Sequence, residues 1–206
     1  MVYLLDPRRG HEVPQSHLGI EATGVLEVDR YSGYKAMTPV KNGSLQLTFC
    51  WAHVRRDFVA VGKSWTEWTP WALQWLRRIR HLDCVNRERL RHAPDSPEFR
   101  AQDASLRQAI HAMRAAAVEE RSDAKLRPPC RKVLESLEAH WPGLVRFVED
   151  PRIPMDNNAS ERAGRGPAVR GKTTTAPVPS GAAAWQRPCS PCWPPWPTGD
   201  SIRAAG

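Results

Sequence analysis

The sequence predicts an α/β fold in which a mixed sheet is interrupted by a large all-helical insertion. Three observations predict it. Short β-type runs separated by turn signals fill the first 58 residues, and apolar residues recur at helical spacing between residues 62 and 150. Residues 173–206 follow neither period and are expected to form a disordered C-terminal tail.

The β-type runs are residues 2–5, 25–28 and 45–50, with a turn signal at Asn42-Gly43 and proline-containing loops between them. The second run is mostly apolar and is expected to lie centrally, buried on both faces as parallel or mixed sheets require. Apolar spacing turns helical at Trp51 and stays so to Val61, which places Arg55 and Arg56 beside Trp51, Val54 and Phe58 on a helix packed against the sheet. Trp71, Trp75, Leu76 and Ile79 form a further apolar stripe. Leu106, Ile110, Met113 and Ala117 form another, and Val133, Leu134, Leu137 and Trp141 a third, each read as a helix core. Arg77, Arg78, Arg80, Arg87, Arg89 and Arg91 cluster along one of these helices, and such a run is ordinarily a solvated face. The expected organisation is therefore a sheet-bearing segment at 1–61, a helical insertion at 62–150, a short segment at 151–172 and the tail at 173–206.

A chain of 206 residues with 41% hydrophobic content can bury one core carrying an insertion. No apolar run approaches the roughly 20 residues that span a bilayer. Because the start lacks a signal-peptide layout, a cytoplasmic protein is expected. Five cysteines, an odd number without a paired framework, fit reduced thiols. The net charge of +8 favours a polyanionic partner through counterion release.

Two acidic residues stand in unusual settings. Asp29 closes the run through Val25, Leu26 and Val28 and is followed by Tyr31, Ser32, Gly33 and Tyr34, so it is an acid at a strand end, a position suited to holding a metal. Glu161 follows Asp156, Asn157 and Asn158, side chains that start helices, and so falls in a first helical turn. Each has a structural reading as well. Asp29 could form a turn, and Glu161, three residues after Asn158, could complete a capping box. Arg165 lies four residues from Glu161 and could pair with it on a helix.

Four segments together resemble the insertion-sequence-66 type of bacterial transposases. They are Y-L-L-D-P-R-R-G-H at 3–11, V-D-R-Y-S-G-Y at 28–34, C-W-A-H-V-R-R-D-F at 50–58 and D-N-N-A-S-E-R at 156–162, and the resemblance extends to about residue 172. It implies a ribonuclease H-like sheet, here incomplete, and DNA transposition by phosphodiester cleavage and strand transfer with two Mg2+ (or Mn2+) ions held by three carboxylates. By the same resemblance Asp29 is the second acid and Glu161 the third. The first lies on a strand upstream of the 3–11 segment, and Asp6, followed by Pro7, is a loop acid. The chain is accordingly expected to be a truncated transposase fragment, inactive alone.

Arg55, Arg56, Arg162 and Arg165 are the expected DNA contacts, and the helical insertion is a further candidate. Transposon ends and target DNA are the expected partners, with a second copy or an intact transposase as protein partner and no membrane. Cys50 and His53 form C-x-x-H, which lacks the four ligands of a structural zinc site; we read them, with Asn157 and Asn158, as support for the active site. Cys189 and Cys192 are read as incidental. Two other readings stay open: a basic DNA-binding or regulatory remnant without catalysis, and a decayed gene product that exposes apolar surface.

Seven of the 19 prolines and three of the nine tryptophans fall in 173–206. The family commonly continues after Gly-Lys with a stretch like N-H-Y-G-S-G-S, and codons for it read one base later can give T-T-T-A-P-V-P, the residues found at 173–179. The hypothesis is a frameshift after Lys172. Translating the gene in its other frames beyond that codon is expected to recover the family's C-terminus, and failure to recover it ends the idea.

Overall fold

The computed structural model describes residues 10–157. Helix α1 (Glu12–Leu18) leads to strand β1 (Gly24–Val28), and two short helices, α2 (Ser32–Ala36) and α3 (Thr38–Lys41), carry the chain to strand β2 (Leu45–Phe49). Then come α4 (Trp51–Ser64), a 3-10 turn (Thr66–Trp68), α5 (Thr69–Arg89), α6 (Pro97–Ser122), α7 (Pro128–Leu144) and α8 (Arg146–Glu149). The described residues are thus mostly helical, and the mixed sheet expected from the sequence consists among them of two parallel strands, in register from Gly24 opposite Leu45 to Val28 opposite Phe49. A parallel pair requires a long crossover, which α2 and α3 supply. Asn42-Gly43 therefore ends a helix rather than closing a hairpin. Gly43 takes φ +80°, a left-handed conformation that favours glycine, while Asn42 Oδ1 accepts the Ser44 amide at 3.0 Å.

The sequence expectation for β1 needs correction. Burial on both faces was expected of it, yet Val25 is 47% exposed and Leu26 and Glu27 are half-buried. The buried strand is β2, whose Leu45, Leu47, Thr48 and Phe49 are all inside. Helix α7 lies against it so closely that a Cβ on Gly143 would come within 2.5 Å of the Phe49 ring and 3.0 Å of the Leu47 carbonyl. Only glycine permits that approach. The short helices α1 to α3 went unread because four to seven residues carry too little of a 3.6-residue period to register. The run at residues 2–5 and the tail lie outside the described residues.

The three apolar stripes do form the helical core. Trp75, Leu76, Ile79, Leu106, Ile110, Met113, Ala117, Leu134, Leu137 and Trp141 are buried, with Trp71 and Val133 half-buried at its margin. Phe58 of α4 stacks on Trp75 of α5, centroids 5.1 Å apart and planes within 9°. Glu120 of α6 accepts hydrogen bonds from the indoles of Trp71 and Trp75, each at 2.7 Å, and from Arg78 at 2.8 Å. Indole N–H groups brought inside need such an acceptor.

The arginine run along α5 is not uniformly a solvated face. Arg77, Arg80 and Arg91 are exposed, but Arg89 is fully buried. Its guanidinium donates to Asp103 of α6 at 2.7 Å and to the carbonyls of Phe147 and Val148 in α8 at 2.7 and 3.0 Å. Burial alone would raise the Asp103 pKa, but hydrogen bonds from Arg107 and Arg89 outweigh it and hold the carboxyl below the usual range. Removing Arg89 leaves the Phe147 and Val148 carbonyls without their buried donor, at about 1–3 kcal/mol each, while Asp103 keeps Arg107, so the loss comes to about 3–5 kcal/mol. Arg89→Ala is therefore expected to lower unfolding stability by about that amount in urea denaturation. A loss of less than about 1 kcal/mol, the scale of a surface pair, would mean that Arg89 does not hold α5, α6 and α8 together.

Candidate active site

Strand β1 ends at Val28, and Asp29 follows it directly, exposed, with Oδ1 accepting the Tyr31 amide at 3.1 Å. This is a turn-forming contact of the kind aspartate makes two residues ahead. The Asp29 carboxylate also acts on Tyr34: burial first, then Asp29 and Tyr31, push the phenol pKa up and keep it protonated. Between these residues Arg30 turns inward, donating to Asp57 of α4 at 2.5 Å and to the Ser136 hydroxyl of α7 at 2.9 Å. The V-D-R-Y segment is thereby anchored to two helices.

Strand β2 ends one residue earlier than the sequence suggests because Cys50 is already the N-cap of α4. Cys50 is completely buried and makes no side-chain cap. Instead the Trp51 amide donates to the Met155 carbonyl at 3.1 Å, and Cys50 Sγ accepts the Asn157 amide at 3.3 Å. The Trp51 indole donates to the Leu144 carbonyl at the end of α7, at 2.8 Å. Residues 155–157 are thus fixed at the carboxyl end of β2. Burial raises the Cys50 pKa, with the amides of Asn157, Ala52 and His53 opposing the rise and Asp156 adding to it. Cys50 is a neutral, buried thiol. His53 sits half-buried in the first turn of α4, its amide bonded to the Cys50 carbonyl at 3.2 Å. Arg55 is half-buried on the same helix and burial lowers its pKa, whereas Arg56 is exposed.

Glu27, which the sequence reading passed over, belongs to this region. It lies two residues before Asp29 and opposite Thr48 in the strand register. Burial, then the neighbouring Asp156 carboxylate, raises its pKa to about 7. Its Oε1 is buried without a hydrogen-bond partner, as are Thr48 Oγ1 and Asn157 Oδ1. The signal was present as a single charge inside the apolar run V-L-E-V. What could not be read was its neighbour, because Asp156 is far away in sequence.

Of the expected site residues, Cys50 and Asn157 are brought into contact. Asp29 directly follows β1, the strand that pairs with β2. Asn158, Glu161, Arg162 and Arg165 lie outside the described residues. Among the described residues no three His, Cys, Asp or Glu side chains are grouped to hold a metal ion, and no helix is long and apolar enough to cross a membrane.

A family profile described as "Transposase IS66 family" matches residues 1–183. The chain is 32% identical over 157 residues to Uncharacterized protein y4jD of Sinorhizobium fredii (strain NBRC 101917 / NGR234), covering 73% of this chain and 30% of that protein. It is 29% identical over 189 residues to Uncharacterized protein y4qI of the same strain, covering 84% of this chain and 32% of the relative. The chain therefore spans about a third of the length of these relatives. No solved structure matches it.

Folded Glu27, with its pKa at about 7, holds its proton more tightly than the unfolded chain does, whose value is near 4.5. The native state therefore carries an extra proton between those values, and this group's contribution to stability falls as pH rises through that window. Since the carboxyl is only half-buried, solvent screening leaves about 1 kcal/mol of this effect. Glu27→Gln in EDTA is expected to leave Tm unchanged at pH 4 and to raise it by about 2–4 °C at pH 8. A Tm at pH 8 equal to or below that of the wild type would show a solvated carboxylate and remove Glu27 from the site.

Proposed function

The chain belongs to the IS66 family of transposases, and from that premise we propose that it contributes to a ribonuclease H-like catalytic domain that cuts and joins DNA with magnesium or manganese. One observation carries the proposal. The Trp51–Met155 and Cys50–Asn157 hydrogen bonds join C-W-A-H to the start of D-N-N-A-S-E-R at the carboxyl end of β2, beside the end of β1 where Asp29 follows. The carboxyl ends of parallel strands are where open α/β sheets gather functional groups.

In this reading residues 1–61 and 151–172 build the catalytic core and 62–150 form the helical insertion. Asp29 and Glu161 are the carboxylates that hold metal. Buried oxygens of Glu27, Thr48 and Asn157 without hydrogen-bond partners suit a hard cation, which takes oxygen ligands. When bound, such ions activate the attacking oxygen and neutralise charge on the leaving oxygen. The chain's own part is positional: Cys50 and Trp51 hold residues 155–157 at the carboxyl end of β2, and His53 and Asn158 are assigned to the same support by the family resemblance. Arg55, Arg56, Arg162 and Arg165 grip phosphates of transposon or target DNA, where guanidinium forks match the phosphate oxygens.

A second reading is a DNA-binding or regulatory module without catalysis. It draws on the Asp29–Tyr31 hydrogen bond, which already gives this carboxylate a turn-forming role. Metal binding separates the two. Under the catalytic reading the chain binds Mn2+, followed by isothermal calorimetry, and Asp29→Asn and Glu161→Gln each weaken binding by at least about tenfold. Mn2+ affinity indifferent to both substitutions, alongside salt-sensitive DNA binding, would leave the module. Absence of both kinds of binding would sink the two readings together.

A further inference from the structure

Positive charge is unevenly spread over the described residues. Residues 51–91, the α4–α5 hairpin, hold nine Lys and Arg against four Asp and Glu, a net charge of +5, while the other described residues together come to −2. On helix α6 the four arginines, Arg100, Arg107, Arg114 and Arg121, are balanced by four acids on the same helix. The surplus therefore belongs to the hairpin.

Within the hairpin several cations serve the fold. Arg78 is held by Glu120, Arg87 by Asp83, and Arg89 is buried. Of the rest, Arg55, Arg56 and Lys63 belong to α4, while Arg77 and Arg80 lie on one face of α5. Arg80 and His81 lie three and four residues after Arg77, and Cys84 four and three after them, all exposed, and Arg91 continues the line just beyond the helix end. Arg77 and Arg80 make no ion pair or hydrogen bond with another described residue. Arg91 pairs with Glu88 at 2.6 Å, but its side chain is 73% exposed, and a pair so exposed is weak enough for a phosphate to displace. From Arg77 to Arg91 the row is about 21 Å long at 1.5 Å per residue, enough to face several phosphates of a strand spaced ~3.4 Å along the duplex axis.

We infer that the face of α5 bearing Arg77, Arg80 and His81, continued by Arg91, is a sequence-independent docking surface for the phosphate backbone of duplex DNA. The inference rests on the transposase reading and adds to it a surface outside the residues assigned there. A row of cations along a helix face offers contacts to phosphates, and phosphate contacts position DNA without selecting its sequence.

The test uses the 206-residue chain and a fluorescently labelled random-sequence duplex, with affinity measured by anisotropy across ~50–200 mM salt. Each phosphate contact adds about 0.9 to the slope of log affinity against log salt. Arg77→Gln combined with Arg80→Gln is expected to flatten that slope by about 1.8, and the corresponding Lys pair to keep it. Arg100→Gln with Arg121→Gln, an equal charge change on α6, is expected to leave it unaltered. Circular dichroism melting checks that each variant is folded, and should the glutamine pair unfold the protein, Arg77→Gln alone is expected to flatten the slope by about 0.9. Equal flattening by the α5 and α6 pairs would reduce the effect to net charge and overturn the assignment. An unchanged slope for the α5 pair, with wild-type binding intact, overturns it too while leaving the transposase reading in place. Retained DNA binding with lost binding to anionic phospholipid vesicles would make the face a membrane surface and overturn it likewise. A wild-type chain that binds no duplex defeats the parent reading itself.

Discussion

Helix α4 begins at the end of a buried strand with no side chain to cap it. The first amides of a helix have no intrahelical acceptor, and stranded inside a protein each would cost about 1–3 kcal/mol. Cys50 cannot serve as a strong cap, so the acceptor comes from the backbone at Met155, and the Cys50 sulfur in turn receives the Asn157 amide. Satisfying one helix end thus determines where the chain returns, a hundred residues later. Trp51 reinforces the junction from the other side. Its indole, completely buried, is tied to the last turn of α7 and meets Trp141 edge-on, so strand end, α7 and returning segment share one residue.

The helical part therefore participates in building the strand-end region. Arg89 grips the two α8 carbonyls immediately upstream of residues 150–157, and Asp103 holds its charge from α6. Glu120 organises the neighbouring layer by accepting from two tryptophans and an arginine at once. Both carboxylates are satisfied by charge-assisted hydrogen bonds, and these specify angles between helices more tightly than apolar contact does. Gly143 completes the arrangement by letting α7 lie directly on β2.

Buried polar atoms without a hydrogen-bond partner occur in the helical part too, at Asn86, Arg89 and Glu138 among them, and the strand ends add two neighbouring carboxylates to theirs. Glu27 and Asp156 set two carboxylates near one another in partial burial, and three buried oxygens there lack hydrogen-bond partners among the described residues. Native proteins leave few such groups unsatisfied. Neighbouring carboxylates and orphaned oxygens are an arrangement that packing alone would not favour.

Much of this was legible in the sequence where the physics is local. Periodicity identified the strands, α4 and the three apolar stripes, because burial of one face imposes a repeat that survives in any context. Four short motifs gave the family and drew attention to Asp29, Cys50, His53 and Asn157, residue types whose chemistry is carried by the side chain itself. Tertiary structure decided the rest. Arg89 and Arg80 look alike within one arginine run, and only the position of α8 makes one a buried clamp and the other an exposed cation. Glu27 reads as an interruption of a strand until Asp156 is folded beside it. The strands proved parallel, with β2 as the buried one, because the crossover and the docking of α7 set register and burial. The sequence determines which groups are present and how each segment repeats. Which charges share low-dielectric space depends on contacts between residues distant in the chain, and these exist only once it has folded.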